Sequence, residues 1–186
     1  MSNQTSGLLS GYLRKIRIKT SLPYIKTPLL DVGCSNGPLA DFFKPDKYTG
    51  VDIDNESLLK AQKKYPQHRF CRLENLKKED TFACIVLLAV IEHIVDPQSF
   101  LENIKKHLLP HGCIILTTPS PYFKEIYSWG SHMGIFSREA EEEHQDYYDF
   151  LAIKKISDQV GLVIREYKKF LLGANQLFIL ENAHAH

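Results

Sequence analysis

Cysteine is scarce and poorly placed for metal or redox work. The chain has four, Cys34, Cys71, Cys84 and Cys113. No two stand at the Cys-x-x-Cys spacing of zinc sites and dithiol motifs. Three lie in apolar, strand-like runs, so free buried thiols in a reducing compartment are expected, and no metal site. A surplus of charge is also missing. The 23 Lys and Arg against 22 Asp and Glu leave a net charge of +1, which gives no global attraction to nucleic acid or anionic lipid. Long apolar runs are missing too. The run at Ala83–Ile91 is far short of the about 20 residues that a membrane-spanning helix needs. In the opening MSNQTSGLLSGYLRKIR the charges follow a short apolar patch, the reverse of a secretory leader, and a cytoplasmic location is expected. No repeat, low-complexity block or Gly/Ser linker interrupts the chain. Its 186 residues, 44% of them apolar, suit one domain, 1–186, with a full core. The early basic cluster Arg14, Lys15, Arg17 and Lys19 reads as a solvated helix face.

What is present is alternation. Residues 8–20 predict a leading helix, part of an N-terminal cap over 1–25. PLLDVG is a short apolar run closed by glycine, a buried strand. Gly37 to Phe43 starts a helix, stopped before Pro45. YTGVDI is the second strand. Asp54 is the N-cap of a helix NESLLKAQKKY with Leu58, Leu59 and Ala61 facing inward. HRFCRL and FACIVLLAV are the third and fourth strands, the latter apolar on both faces like a central parallel strand. Asp96 caps a helix whose Pro97 opens it and whose Phe100, Leu101, Ile104 and Leu108 recur at helical spacing. HGCIILTTP is the fifth strand. After a loop-rich stretch, YYDFLAIKKISDQVG is a helix, and LVIREYKKF and NQLFILEN close the chain as strands. This order predicts an α/β three-layer sandwich with a mostly parallel seven-stranded sheet, one of the last pair supplying the antiparallel strand. Ligands of such sheets sit at the carboxyl ends of the strands.

The loop Gly33-Cys34-Ser35-Asn36-Gly37 leaves the first strand. Its two glycines permit positive φ and a close approach of ligand to backbone. Roughly 20 residues on, Asp52 ends the second strand, where a carboxylate accepts hydrogen bonds from both hydroxyls of a ribose. Together they point to a cofactor containing a nucleoside. A dinucleotide fingerprint needs G-x-G-x-x-G to seat a pyrophosphate on a helix N-terminus, and Ser35 stands where its second glycine belongs. A ligand without that phosphate is the better match.

With these residues in order, the chain resembles the class I S-adenosylmethionine-dependent methyltransferases. LLDVGCSNG is similar to that family's first motif and GVDID to its second. FACIVLLAVIEHIVDP resembles the stretch in which members carry Glu-His before a helix, and LLPHGCIILTTPSP the segment around the fifth strand. The resemblance is close over roughly Leu29 to Pro119 and continues beyond by element order. It implies the Rossmann-like methyltransferase fold and S-adenosyl-L-methionine as cofactor. It also implies positions. Asp31, Gly33, Cys34, Ser35 and Gly37 would line the methionine and ribose part. Asp52 would hold the ribose, with Ile53 against the adenine and Glu74 and Asn75 at the adenine edge. Leu88 and Ala89 would approach the methionine end, and His93 the methyl group. Ser35 departs from the family's middle glycine. Ala83 replaces a frequent aspartate at the start of the fourth strand, away from the site.

The stretch 120–146 follows the fifth strand on the acceptor side. Its aromatics and histidines, Tyr122, Tyr127, Trp129, His132 and His144 among them, are compatible with a lid over a small substrate or with packing on the sheet. A hydroxyl acceptor needs a base, and a neutral histidine suits that near pH 7. His93, His132 and His144 are the candidates. The expectation is metal-independent transfer of a methyl group to a small-molecule acceptor, by O-methylation. The rivals are a non-catalytic partner protein of the same fold, an RNA methyltransferase and a nicotinamide oxidoreductase. Near-neutral charge disfavours RNA. Oligomeric state is not legible.

Overall fold

The structure is a computed structural model. It describes the backbone of residues 2–122 and 148–183, and their side chains from residue 11 onward. Seven strands form one sheet: β1 (Leu29–Val32), β2 (Tyr48–Val51), β3 (Arg69–Cys71), β4 (Phe82–Leu88), β5 (Leu108–Pro119), β6 (Leu162–Phe170) and β7 (Asn175–Asn182). Their order is β3-β2-β1-β4-β5-β7-β6. All neighbours are parallel except that β7 runs antiparallel to both β5 and β6. The order reverses between β1 and β4, so the crevice outside their carboxyl ends is the natural ligand position.

The faces follow the alternation of side chains along each strand. Leu30, Ile85, Leu87, Ile114, Leu116 and Phe178 point to one face. There they bury Leu101 and Ile104 of α3 (Pro97–Lys105) and Ile153 of α4 (Phe150–Gln159). Leu29, Cys84, Val86, Ile115 and Ile179 point to the other, against Ile18 of α1 (Ser2–Ser21) and Leu39 and Ala40. The expected three layers are therefore present. α2 (Asn55–Lys64) starts at Asp54, whose carboxylate accepts from the Glu56 and Ser57 N–H groups, as its sequence predicts. Asp96 likewise accepts from Ser99 N–H at the start of α3.

Three local expectations change. The segment after the glycine loop is a five-residue 3-10 turn, Pro38–Phe42, rather than the start of an α-helix. Phe43 is already extended, as is Lys44 under the restriction of the following Pro45. Leu59 is 72% exposed, whereas Leu58 and Ala61 are buried. Leu108 opens β5 instead of ending α3, pairing with Phe82 ahead of a bulge. Among the described residues, no helix is long and apolar enough to cross a membrane.

Candidate active site

The turn out of β1 is fastened to β2 by its own amides. The Gly33 and Cys34 N–H groups both donate to the Val51 carbonyl, at 2.8 and 3.0 Å. The Ser35 N–H donates to Asp52 Oδ2 at 2.7 Å, and Asp54 N–H to Asp52 Oδ1 at 2.9 Å. Three successive donors that would face a phosphate in a dinucleotide cradle are thus spent on β2. Gly33 and Gly37 have φ of 73° and 74°. A Cβ on Gly33 would lie 2.5 Å from Val90 Cγ2, and one on Gly37 would lie 2.9 Å from the Phe70 ring. Both glycines are therefore required by conformation and by space. Ser35 adopts φ 50°, the left-handed conformation a glycine would take at this position. Its bond to Asp52 holds it there, so the serine keeps the loop's path. Cys34 is buried beneath Gly50, and burial pushes its thiol up.

Asp31 lies behind this loop, 4% exposed, and accepts a 2.7 Å hydrogen bond from the Tyr48 hydroxyl. Burial raises its carboxyl to about 7; the Tyr48 bond opposes that shift and the nearby Asp52 charge adds to it. Tyr48 also packs edge-on against His68 and Phe70. This aromatic group props the loop from below.

A cavity of about 300 Å³ opens at the carboxyl ends of β1, β2 and β4. Of the residues expected at the site, Gly33, Asp52, Ile53, Ala89 and His93 line it. Ile53 is 83% exposed on its rim, an apolar side chain in the open beside a cavity. Asp31, Cys34, Ser35 and Gly37 frame the loop without lining the cavity, and Leu88 also stands back from it. Glu74 and Asn75 are not in the wall either. Leu73, one residue earlier, takes that place. Glu74 is exposed and bonded to Arg72, which also donates to the Ile53 carbonyl at 2.8 Å and braces the rim. Val32, Val51, Val90, Ile94 and Phe100 complete a mostly apolar lining that sequence reading did not assign. Ala89 sits at φ 59°, which turns the chain sharply at the end of β4. His132 and His144 lie outside the described residues, as does the stretch 120–146 beyond its start.

α1 crosses above this edge. Lys15 and Lys19 are exposed as expected, but Arg17 reaches inward while Arg14 turns to the loop at the surface. Arg14 bonds Asn36 Oδ1 of the loop at 3.4 Å, and Arg17 Nε donates to Asn175 Oδ1 at 2.9 Å. Near them Glu92 is 1% exposed, its carboxyl raised by burial to about 7. Sequence reading placed Glu92 only in a Glu-His pair before a helix and gave it no role. Its apolar flanks, Ile91 and Ile94, were the only signal of burial.

Comparison with known proteins agrees with this geometry. The family described as "Methyltransferase domain" matches residues 12–167. The chain belongs to that family. Among curated relatives, the human mitochondrial ubiquinone biosynthesis O-methyltransferase is 30% identical over 109 residues, which are 52% of this chain and 30% of that protein. The Rickettsia conorii ubiquinone biosynthesis O-methyltransferase is 28% identical over 108 residues, 54% of this chain and 37% of that protein. The aligned part is thus only about a third of either relative's length. In three dimensions, an S-adenosylmethionine-dependent methyltransferase from Clostridium acetobutylicum superimposes with a TM-score of 0.64 at 18% identity, covering 83% of each chain. A TehB-like methyltransferase from Corynebacterium glutamicum gives 0.64 at 14% identity, over 98% of this chain and all of that one. These likenesses establish the seven-stranded methyltransferase fold.

Proposed function

We propose that this domain transfers the methyl group of S-adenosylmethionine to a hydroxyl of a small-molecule acceptor. The observation that carries the reading is the pairing of an apolar cavity with Asp52 at its mouth and a glycine loop whose amides are already bonded to β2. A nucleoside with an uncharged linkage suits that arrangement, and a pyrophosphate does not. In this reading Asp52 accepts from the ribose hydroxyls, Ile53 and Leu73 cover the adenine, and Asp31 faces the ammonium of the methionine end. The bound donor supplies an electrophilic methyl group. The protein supplies alignment and exclusion of water. His93, on the cavity wall, lies where the methyl end would reach. The names of the O-methyltransferase relatives support oxygen as the accepting atom and a quinone-type precursor as the substrate class.

Calorimetric titration with S-adenosylmethionine and S-adenosylhomocysteine tests this, with NADH as control and Asp52→Ala as variant. Micromolar binding of both sulfur ligands, weakened at least roughly tenfold in the variant, is expected. Binding of NADH alone would sink the reading.

A further inference from the structure

The turn that joins β6 to β7 is built from the wrong residues for its shape. The Phe170 carbonyl accepts from the Gly173 N–H at 3.2 Å, and the two residues between them, Leu171 and Leu172, have φ of 53° and 55°. Positive φ at both central positions makes a type I′ hairpin turn. Asn and Gly fill such positions readily, and a leucine fills them only at a cost in backbone strain. Leu171 is half-buried, but Leu172 is 100% exposed. Its side chain strains the backbone and buries nothing against its own molecule, so it contributes nothing to the fold.

The tip is held firmly in place. The Ser120 hydroxyl donates to the Gly173 carbonyl at 2.6 Å, and the Ser120 N–H to the Ala174 carbonyl at 2.9 Å. Asn175 pairs with Pro119. The turn is therefore fixed to the carboxyl end of β5, at the same edge of the sheet as the cavity. Lys168 and Lys169, both exposed, precede it. As successive residues of a strand they point to opposite faces, so a cation flanks the tip on each side. Lys169 Nζ lies 5.4 Å from the centroid of the Tyr122 ring, which is itself exposed. No acidic residue stands between Tyr167 and Asn175. The carboxylates Asp52, Asp96 and Asp149 of the other loops at this edge are turned to backbone amides.

A protein partner needs a broad apolar face with matching shape. One leucine on a convex tip, with a tyrosine and two lysines around it, offers no such face. It has the make-up of a group that enters a bilayer interface, where the leucine meets acyl chains, the tyrosine sits among headgroups and the lysines meet anionic phosphates. We propose that the β6–β7 tip docks on an anionic lipid surface, with Leu172 inserted and Lys168 and Lys169 on the headgroups. The net charge of +1 provides no pull on the whole molecule, so the attachment is local, reversible and sensitive to salt. It turns the edge that carries the cavity toward the lipid. The docking rests on the hairpin and is independent of the methyl-transfer reading.

The test is co-sedimentation of the whole protein with vesicles of phosphatidylcholine alone and of phosphatidylcholine with about one-third phosphatidylglycerol. Wild type is expected to bind the mixed vesicles and to bind pure phosphatidylcholine at least about fivefold more weakly. Leu172→Asn should weaken binding to the mixed vesicles by about tenfold or more, and Lys168→Gln with Lys169→Gln by a similar factor. Asn tolerates the left-handed conformation, so the thermal midpoint of Leu172→Asn should equal or exceed that of wild type. Its S-adenosylhomocysteine affinity should stay within roughly twofold, because the tip is not part of the donor cavity. Wild type that stays in solution with the mixed vesicles would overturn the proposal. So would undiminished vesicle binding by Leu172→Asn, which would leave only a charge contact without insertion. A lowered midpoint in that variant would show that the leucine serves packing and would overturn it as well.

Discussion

Tyr48 donates to a carboxyl that burial holds near 7, so at neutral pH Asp31 is balanced between its two forms. Only the ionised form attracts the ammonium of a methionine end. The Tyr48 hydroxyl favours that form, and removing it moves the balance toward the neutral acid. Tyr48→Phe should therefore weaken S-adenosylhomocysteine binding at pH 7 by roughly three- to tenfold. Because the lost contribution is one of ionisation, the deficit should shrink by pH 8.5, where Asp31 is ionised in both proteins. Titration at the two pH values checks this. An equal deficit at both would show that Tyr48 acts only by packing. The same residue shows a limit of sequence reading. Asp31 and the glycine loop announce themselves in one local string. The partner that opposes the burial of Asp31 stands at the start of another strand, just ahead of GVDID and outside that motif.

Elements were legible wherever one force dominated locally. FACIVLLAV is apolar on both faces because α1 and α3 cover both sides of β4. Asp54 and Asp96 declared helix starts because their side chains satisfy amides within the next three residues. Errors arose where two apolar residues adjoin. In α2, Leu58 and Ala61 are three residues apart and share a face, while Leu59 is turned about 100° away. A matched pair of variants separates them. Leu58→Ala should cost about 2–3 kcal/mol, and Leu59→Ala less than about 0.5 kcal/mol. Urea midpoints at constant slope check the difference, and equal losses would mean that α2 packs on another face. The buried contacts of Arg17 were illegible for a different reason. Positions 17, 92 and 175 come together only after the sheet places β7 beside β5, and no spacing in the sequence encodes that meeting.

At the scale of the whole molecule, two buried carboxyls near the site should dominate how stability responds to pH. Asp31 and Glu92 are both raised to about 7, from ordinary values of 3.8 and 4.5. Between the ordinary and the raised values, the folded protein holds protons that the unfolded chain has released. Their contribution is therefore complete below about pH 4 and is lost as pH rises through 7. Over the full span the two shifts correspond to on the order of 4 and 3 kcal/mol. Asp80 works in the opposite sense. Arg69 lowers it to about 2, so its contribution is lost only in stronger acid, outside this window. Urea unfolding of the ligand-free protein should thus show stability declining from pH 5 to pH 8. The Asp31→Asn, Glu92→Gln double variant should be nearly flat over that range and more stable than wild type at pH 8. A wild-type profile that stays flat or rises would mean that water reaches both carboxyls. The decline matters for function because it is the cost of keeping charge-ready groups dry. If the ammonium of a bound methyl donor sits beside Asp31 as proposed, the donor should restore at pH 8 part of the stability that ionisation removes.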